Sequence, residues 1–480
     1  MVRMTVGEVV AATGATLVLA GARDVAGEVV IDSREVAPGG VFVAFAGERV
    51  DGNRYLAAAA RTGAAVVVAS AEPAPDALAA AAAAGCAVLR AQGDDCEGFL
   101  LRLAHAWRRL HPAWAVLAVT GSVGKTTTKD MLLAACGAQR RTHATRGNLN
   151  NLIGLPLTVL GAPDDAEVVV CELGMNHPRE IARMSACCEP ALALVTNVGT
   201  SHIGLLGSRE GIARAKAEVV EGMCPGPGGL APTLALRSAD DFGALIAEGH
   251  ARPAGVGVLW CGTGEADDVR AWDVRLGDDG RATARVGCAD GWSAEVRLPV
   301  PGRHAVDDLL LALALVWRLG LDRDAALAGV EAMPVSHMRL EVATSPSGVR
   351  VVDDSYNAAP ASMASGLDVL CSMACEGRRV AVLGEMGELG DEARRLHGYV
   401  GAYAAAKGVD LLVLVGGALA DEMAEAARTM GMSEDAIERF DDAASAAGVL
   451  APVLVAGDLV LAKGSRAVGL DVFVREVLAR

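Results

Sequence analysis

Gly121, Ser122, Gly124, Lys125, Thr126 and Thr127 stand close together in the run "VLAVTGSVGKTTTKDML", Val116 to Leu132. Residues of these types, so spaced, gather phosphate. Glycines let main chain approach an anion with no Cβ in the way, and amides at a helix start carry partial positive charge toward it. Lys125 would reach the terminal phosphates, and the Thr126 hydroxyl would ligate Mg²⁺. The longer form of the motif needs glycine at position 119, which is Val119, so only the short G-x-x-G-K-T form remains. A chance loop is the competing reading, and the apolar strand before it and the helix after it argue against that. Glu172 closes the strand-like run "VVVCE". A carboxylate at the carboxyl end of a strand beside a phosphate loop is placed to hold the same Mg²⁺. Taken singly, His202 in "TNVGTSHIG" reads as structural and Lys216 in "IARAKAEVV" as a solvated helical lysine. Hydrolysis, transfer to a hydroxyl and activation of a carboxylate could all start from such a loop.

These residues need a scaffold, and the rest of the chain supplies one. Its 480 residues predict three domains at ~150 residues each. They are 52% hydrophobic but only 3% aromatic, so alanine, valine, leucine and glycine must carry the packing. Up to residue 92 the chain has short strand-like pieces ("GEVVIDSR", "GGVFVAF", "AAVVVAS") and an Ala-rich helix near 77–84. Residues 93–332 hold a helix from Cys96 to Leu110, the phosphate loop, helix–strand alternation, a strand-rich part to Pro299 and a helix from Val306 to Leu319. Residues 333–480 repeat strand–helix units. Alternation of this kind predicts an α/β fold of parallel sheets covered on both faces, with ligand sites in the clefts between domains. A net charge of −16 argues against nucleic-acid binding. The longest apolar run, Leu309 to Trp317, is far short of the ~20 residues that span a bilayer. The eleven cysteines follow no metal-binding spacing. A cytoplasmic monomer without membrane insertion is expected.

The order and wording of the motifs resemble one family. "DSREVAPGGVFVAFAGERVDG", "TGSVGKTTTK", "GNLNNLIGLPLTVL", "CELGMNHPREIA", "TNVGTSHIGLLGSREGIARAKAEV", "HMRLEV", "VVDDSYNAAPASM", "VLGEMGELG" and "LAKGSR" span nearly the whole length. In that order they resemble the Mur ligases, ATP-dependent amide ligases that build the peptide of bacterial peptidoglycan. The resemblance implies three domains: an N-terminal domain for the UDP-linked substrate, a central P-loop ATP domain and a C-terminal Rossmann-like domain. "GNLNN" and "DDSYN" point to the branch that adds D-Ala-D-Ala to UDP-N-acetylmuramoyl-tripeptide. ATP would phosphorylate the tripeptide's terminal carboxylate, and the dipeptide amine would capture the acyl phosphate.

Residue by residue, the resemblance implies Mg²⁺ at Thr126 and Glu172, and a second Mg²⁺ helped by His202. It makes Lys216 a lysine carbamylated by CO₂, and so an anionic oxygen ligand. Lys125, Lys216 and His202 become the catalytic set. Arg339 and Asp354 would reach the nucleotide from the third domain, Ser33 and Arg34 would meet the uridine nucleotide, Asn150 and Asn151 would orient the acceptor peptide, and Tyr356 and Asn357 would lie near the dipeptide. Four positions depart from the family's wording. Ala305 and Asp308 in "GRHAVDD" replace two asparagines associated with adenine, Ala359 replaces another asparagine, and Gly204 replaces an acidic residue. A ligase with a different amine acceptor, a paralogue with weakened turnover and a plain P-loop kinase or ATPase are the competing readings. "DSR" and "DDSYN" have no place in the last.

Overall fold

The computed structural model describes residues 1–47 and 50–480. Glu48 and Arg49, within the first of the resemblance motifs, lie outside the described residues. Three large sheets organise the chain, each from a consecutive stretch of sequence. The first has five strands in the order Thr16–Leu19, Ala87–Arg90, Val66–Ala69, Val41–Val43, Val29–Val30. The last has six, in the order Glu341–Thr344, Arg350–Asp353, Leu459–Lys463, Arg379–Gly384, Leu411–Val415, Ile437–Phe440.

The central sheet has nine strands, and Ala115–Thr120 lies inside it, between Val168–Glu172 and Leu192–Val195. Every residue of that strand is buried. Its side chains alternate between two cores, as a period of two requires. Ala115, Leu117 and Val119 join the core that runs through the helix His304–Arg318 into the third sheet. Val116 and Ala118 join the one that runs through the helix Cys96–Arg109 toward the first. After this strand the chain crosses to Thr142–Ala144 and Val168–Glu172 on one side, then to Leu192–Val195 on the other. Strand order therefore reverses at Ala115–Thr120, and in open α/β sheets such a reversal opens a crevice at the carboxyl ends of the strands.

The expectation of purely parallel sheets needs correction at the margins. Val269–Leu276, Arg281–Cys288 and Ser293–Pro301 are antiparallel neighbours at one edge of the central sheet. The loops joining them, residues 277–280 and 289–292, are too short for a parallel crossover. Thr16–Leu19 and Glu341–Thr344 are likewise antiparallel edge strands. Among the described residues no helix is long and apolar enough to cross a membrane.

Candidate active site

The loop that follows Thr120 turns because Gly121 takes φ +146° and Gly124 φ +88°. A Cβ on Gly121 would lie 1.8 Å from Thr196 Oγ1, so only glycine fits there. The helix Lys125–Gly137 then begins with its free amides facing the crevice. Lys125 Nζ donates to the loop carbonyls of Gly121 (2.7 Å) and Ser122 (3.3 Å). Desolvation holds its ammonium pKa below the usual lysine value, against the pull of Glu172.

Glu172 ends its strand 1% exposed. Its Oε1 accepts from Asn150 Nδ2 (2.8 Å) and Thr126 Oγ1 (3.3 Å). Its Oε2 is buried without a hydrogen-bond partner among the described residues. An open carboxylate oxygen beside a threonine hydroxyl suits a hard divalent cation, so Thr126 and Glu172 fit Mg²⁺.

The third sheet closes over this floor. Arg339 donates to Thr126 Oγ1 at 3.4 Å, and its guanidinium lies 4.2 Å from the centre of the Tyr356 ring. Asp354 Oδ2 receives a 2.5 Å ion pair from buried Lys463, whose ammonium also donates to Asn357 O (3.0 Å). Burial lowers the Lys463 pKa and Asp354 opposes that shift. Ser336 bonds Asp130 on the loop-bearing helix. His202 Nδ1 lies 2.5 Å from Glu388 Oε2, although the ring N–H is not aligned on it. The Glu388 carboxyl is held below its usual pKa by this histidine. Next to them Gly204 N donates to Glu388 O (3.3 Å), and a Cβ on Gly204 would meet Gly390 N at 2.6 Å. The absence of a side chain at 204 is thus a steric requirement of this contact.

One cavity of about 570 Å³ is lined from both sides. Of the residues expected from sequence it gathers Ser122, Gly124, Lys125, Thr126, Thr127, Asn150, Glu172, His202, Arg339, Asp354, Tyr356 and Asn357. Five others do not line it. Gly121 lies a step deeper, under Lys125. Lys216 is 2% exposed behind the wall, its ammonium pKa driven well down by burial and then by Lys125. Asn151 Oδ1 is engaged locally, accepting from Ile153 N and Gly154 N at the start of the helix Gly154–Leu160. Ser33 and Arg34 sit in the first domain, and the 87% exposed Arg34 side chain pairs with its neighbour Asp32 at 2.5 Å. The cavity adds residues that sequence reasoning did not single out as site residues: Asn148, His304, Glu388 and Ser465. Asn148 and Glu388 stand inside "GNLNN" and "VLGEMGELG", which were the available signal. Burial lowers the His304 pKa, with Asp354 opposing.

Domain models of one family match along the chain: Mur ligase family, catalytic domain at residues 27–93, Mur ligase middle domain at 119–316, and Mur ligase, glutamate ligase domain at 338–466. The UDP-N-acetylmuramoyl-tripeptide–D-alanyl-D-alanine ligase of Bacillus subtilis (strain 168) is 32% identical, covering 94% of this chain and 93% of its own. The chain belongs to the Mur ligase family. Another Mur ligase, the Mycobacterium tuberculosis (strain ATCC 25618 / H37Rv) protein of the same name, is 34% identical over 98% of this chain and 96% of its own. Among solved Mur ligases, MurF from Acinetobacter baumannii superposes with a TM-score of 0.86 at 29% identity, covering 100% of this chain and 99% of that one. MurF from Thermotoga maritima, in complex with ADP, gives 0.78 at 26% identity, covering 94% and 96%.

Proposed function

We propose that this chain is an ATP-dependent ligase that joins D-alanyl-D-alanine to the terminal carboxylate of UDP-N-acetylmuramoyl-tripeptide, in cytoplasmic synthesis of peptidoglycan precursors. One conjunction carries the reading. Similarity to ligases of that name runs the length of a chain in which one cleft gathers Lys125, Thr126, Glu172 and Arg339. The working division is residues 1–92 for the UDP substrate, 93–332 for ATP, and 333–480 for the amine and closure.

A carboxylate oxygen of the tripeptide attacks the γ-phosphorus, the bond to the β-bridging oxygen breaks, and ADP leaves. The dipeptide amine then adds to the acyl carbon. Collapse of the tetrahedral adduct expels inorganic phosphate carrying an oxygen of the original carboxylate, and the amine loses a proton. Bringing a carboxylate to a triphosphate gathers like charges, which Lys125, Arg339 and the helix N-terminus offset where charge develops. Thr126 and Glu172 would hold one Mg²⁺, with His202 and carbamylated Lys216 serving a second. Bound there, Mg²⁺ would neutralise phosphate charge and orient the oxygens. Asp354 would face the ribose while Lys463 fixes its carboxylate. Asn150, poised on Glu172, would orient the acceptor peptide together with Asn151. Tyr356 and Asn357 would border the dipeptide, and Ser33 and Arg34 the uridine nucleotide.

A coupled phosphate assay, omitting each substrate in turn, tests the reading. Release is expected only with ATP, Mg²⁺, UDP-tripeptide and D-Ala-D-Ala together, and ¹⁸O placed in the tripeptide carboxylate should appear in the phosphate. Release without any amine would mark an ATPase instead. Ala359 lines the cavity with a methyl where the family usually has an amide, which favours testing other dipeptides and single amino acids in the same assay.

A further inference from the structure

Asp308 stands in the second turn of the helix His304–Arg318, 6% exposed, yet it borders the cavity. Its carboxyl lies across the phosphate loop: a Cβ on Gly124 would sit 2.6 Å from Oδ1 and 3.0 Å from Oδ2. On the loop-bearing helix its polar neighbour is Thr128, whose hydroxyl donates to Gly124 O (2.8 Å). The charged groups facing it are Asp307, beside it on its own helix, and Arg237, from the strand Thr233–Arg237. Arg237 is already committed, with NH2 2.5 Å from Asp307 Oδ2. Among the described residues, no cation forms an ion pair with Asp308 itself.

An ionised carboxylate here would be a buried charge without a counterion, which folded proteins avoid. It would also stand at the back of a loop built to collect negative phosphate. The neutral acid has neither problem. It offers one O–H donor and a carbonyl acceptor, the same pair of functions as an amide.

We propose that Asp308 meets the bound nucleotide as an uncharged carboxylic acid, giving and taking a hydrogen bond behind Gly124 as a side-chain amide would. This rests on the nucleotide reading of the site. In the uncharged form an aspartate can stand in for the asparagine it replaces. Burial and the neighbouring Asp307 both favour the protonated form, raising the pKa well above 3.8. The unfolded chain ionises near that value while the native fold keeps its proton. Stability therefore falls as pH rises from about 4 toward the folded pKa.

Three forms of the full chain, native, D308N and D308A, test this by titration calorimetry with MgATP and by thermal melts. D308N should bind within about threefold of native and melt higher at neutral pH, with the gain shrinking toward about pH 4. D308A, lacking donor and acceptor, should bind at least about tenfold more weakly. A folded D308N that loses tenfold, or a D308A that binds like native, overturns the proposal. Should D308A not fold, infrared spectroscopy decides. Native protein at neutral pH should show a protonated-carboxyl C=O band that D308N lacks, and its absence from native overturns the proposal. Native protein that binds no MgATP overturns the nucleotide reading, and with it the role of Asp308 toward ATP, while the infrared band still reports its charge.

Discussion

A lysine closed off from water must find a counterion or another chemical form. Desolvation of Lys216, joined by repulsion from Lys125, outweighs the attraction of Asp240. The resulting fall in its pKa favours the neutral amine, the nucleophile that CO₂ requires: N–C bond formation would give a carbamate and release a proton. The carbamate would be an anion near Lys125, where a cation is repelled. Native protein given ¹³C-bicarbonate is therefore expected to show a carbamate carbon resonance that Lys216→Arg lacks. Removing CO₂ should cut phosphate release at least about tenfold, in line with losing a metal-ligand oxygen, and bicarbonate should restore it. Turnover indifferent to CO₂ would exclude this form of the residue.

At the scale of elements, strand, loop and helix around Lys125 form one local unit, and its behaviour can be read from single glycines. Gly121→Ala places a methyl against Thr196 on backbone at φ +146°. Strain of about 1–3 kcal/mol is expected, seen as a lower melting temperature together with weakened ATP binding. Gly137→Ala, at the far end of the same helix, meets nothing within 4 Å and should stabilise by about 0.4–1 kcal/mol with ATP binding unchanged. Equal effects of the two substitutions would contradict the geometry. The same locality explains what could be read from the chain beforehand. "GSVGKT" between an apolar strand and a helix is a short-range pattern, so Gly124, Lys125 and Thr126 were found, and Glu172 followed from its place at a strand end. His304 and Glu388 reach the cavity only through packing of elements far apart in sequence, which periodicity does not encode. The antiparallel margin of the central sheet was missed because apolar alternation does not reveal strand direction. Asn151 and Arg34 matched motifs, yet here their side chains bond within a few residues of themselves.

For the whole molecule, the question is what joins the third sheet to the nucleotide floor. Arg339 crosses between them, bonded to Thr126 and stacked on Tyr356. It should contribute mainly when charge develops on the transferring phosphoryl group. Arg339→Ala is expected to lower kcat by about 10²–10³-fold while calorimetry finds UDP-tripeptide binding within about twofold of native, since the site proposed for that substrate is in the first domain. Loss of UDP-tripeptide binding instead would place the residue in general architecture. The shared apolar core running from the central sheet through the helix His304–Arg318 into the third sheet gives this arrangement a firm side. The opposite rim, at residues 202–204 and 388–390, combines the His202–Glu388 pair and the Gly204–Gly390 backbone contact with Leu389, itself part of that core.

Where Gly204 passes Gly390, two backbones touch with no side chain interposed. The contact leaves no room for a side chain at either glycine, while His202, Glu388 and Leu389 flank it. A methyl-sized wedge lodged there would prop the jaws ajar while sparing every phosphate-binding group. That makes the crossing a place where an inhibitor could act without competing against ATP.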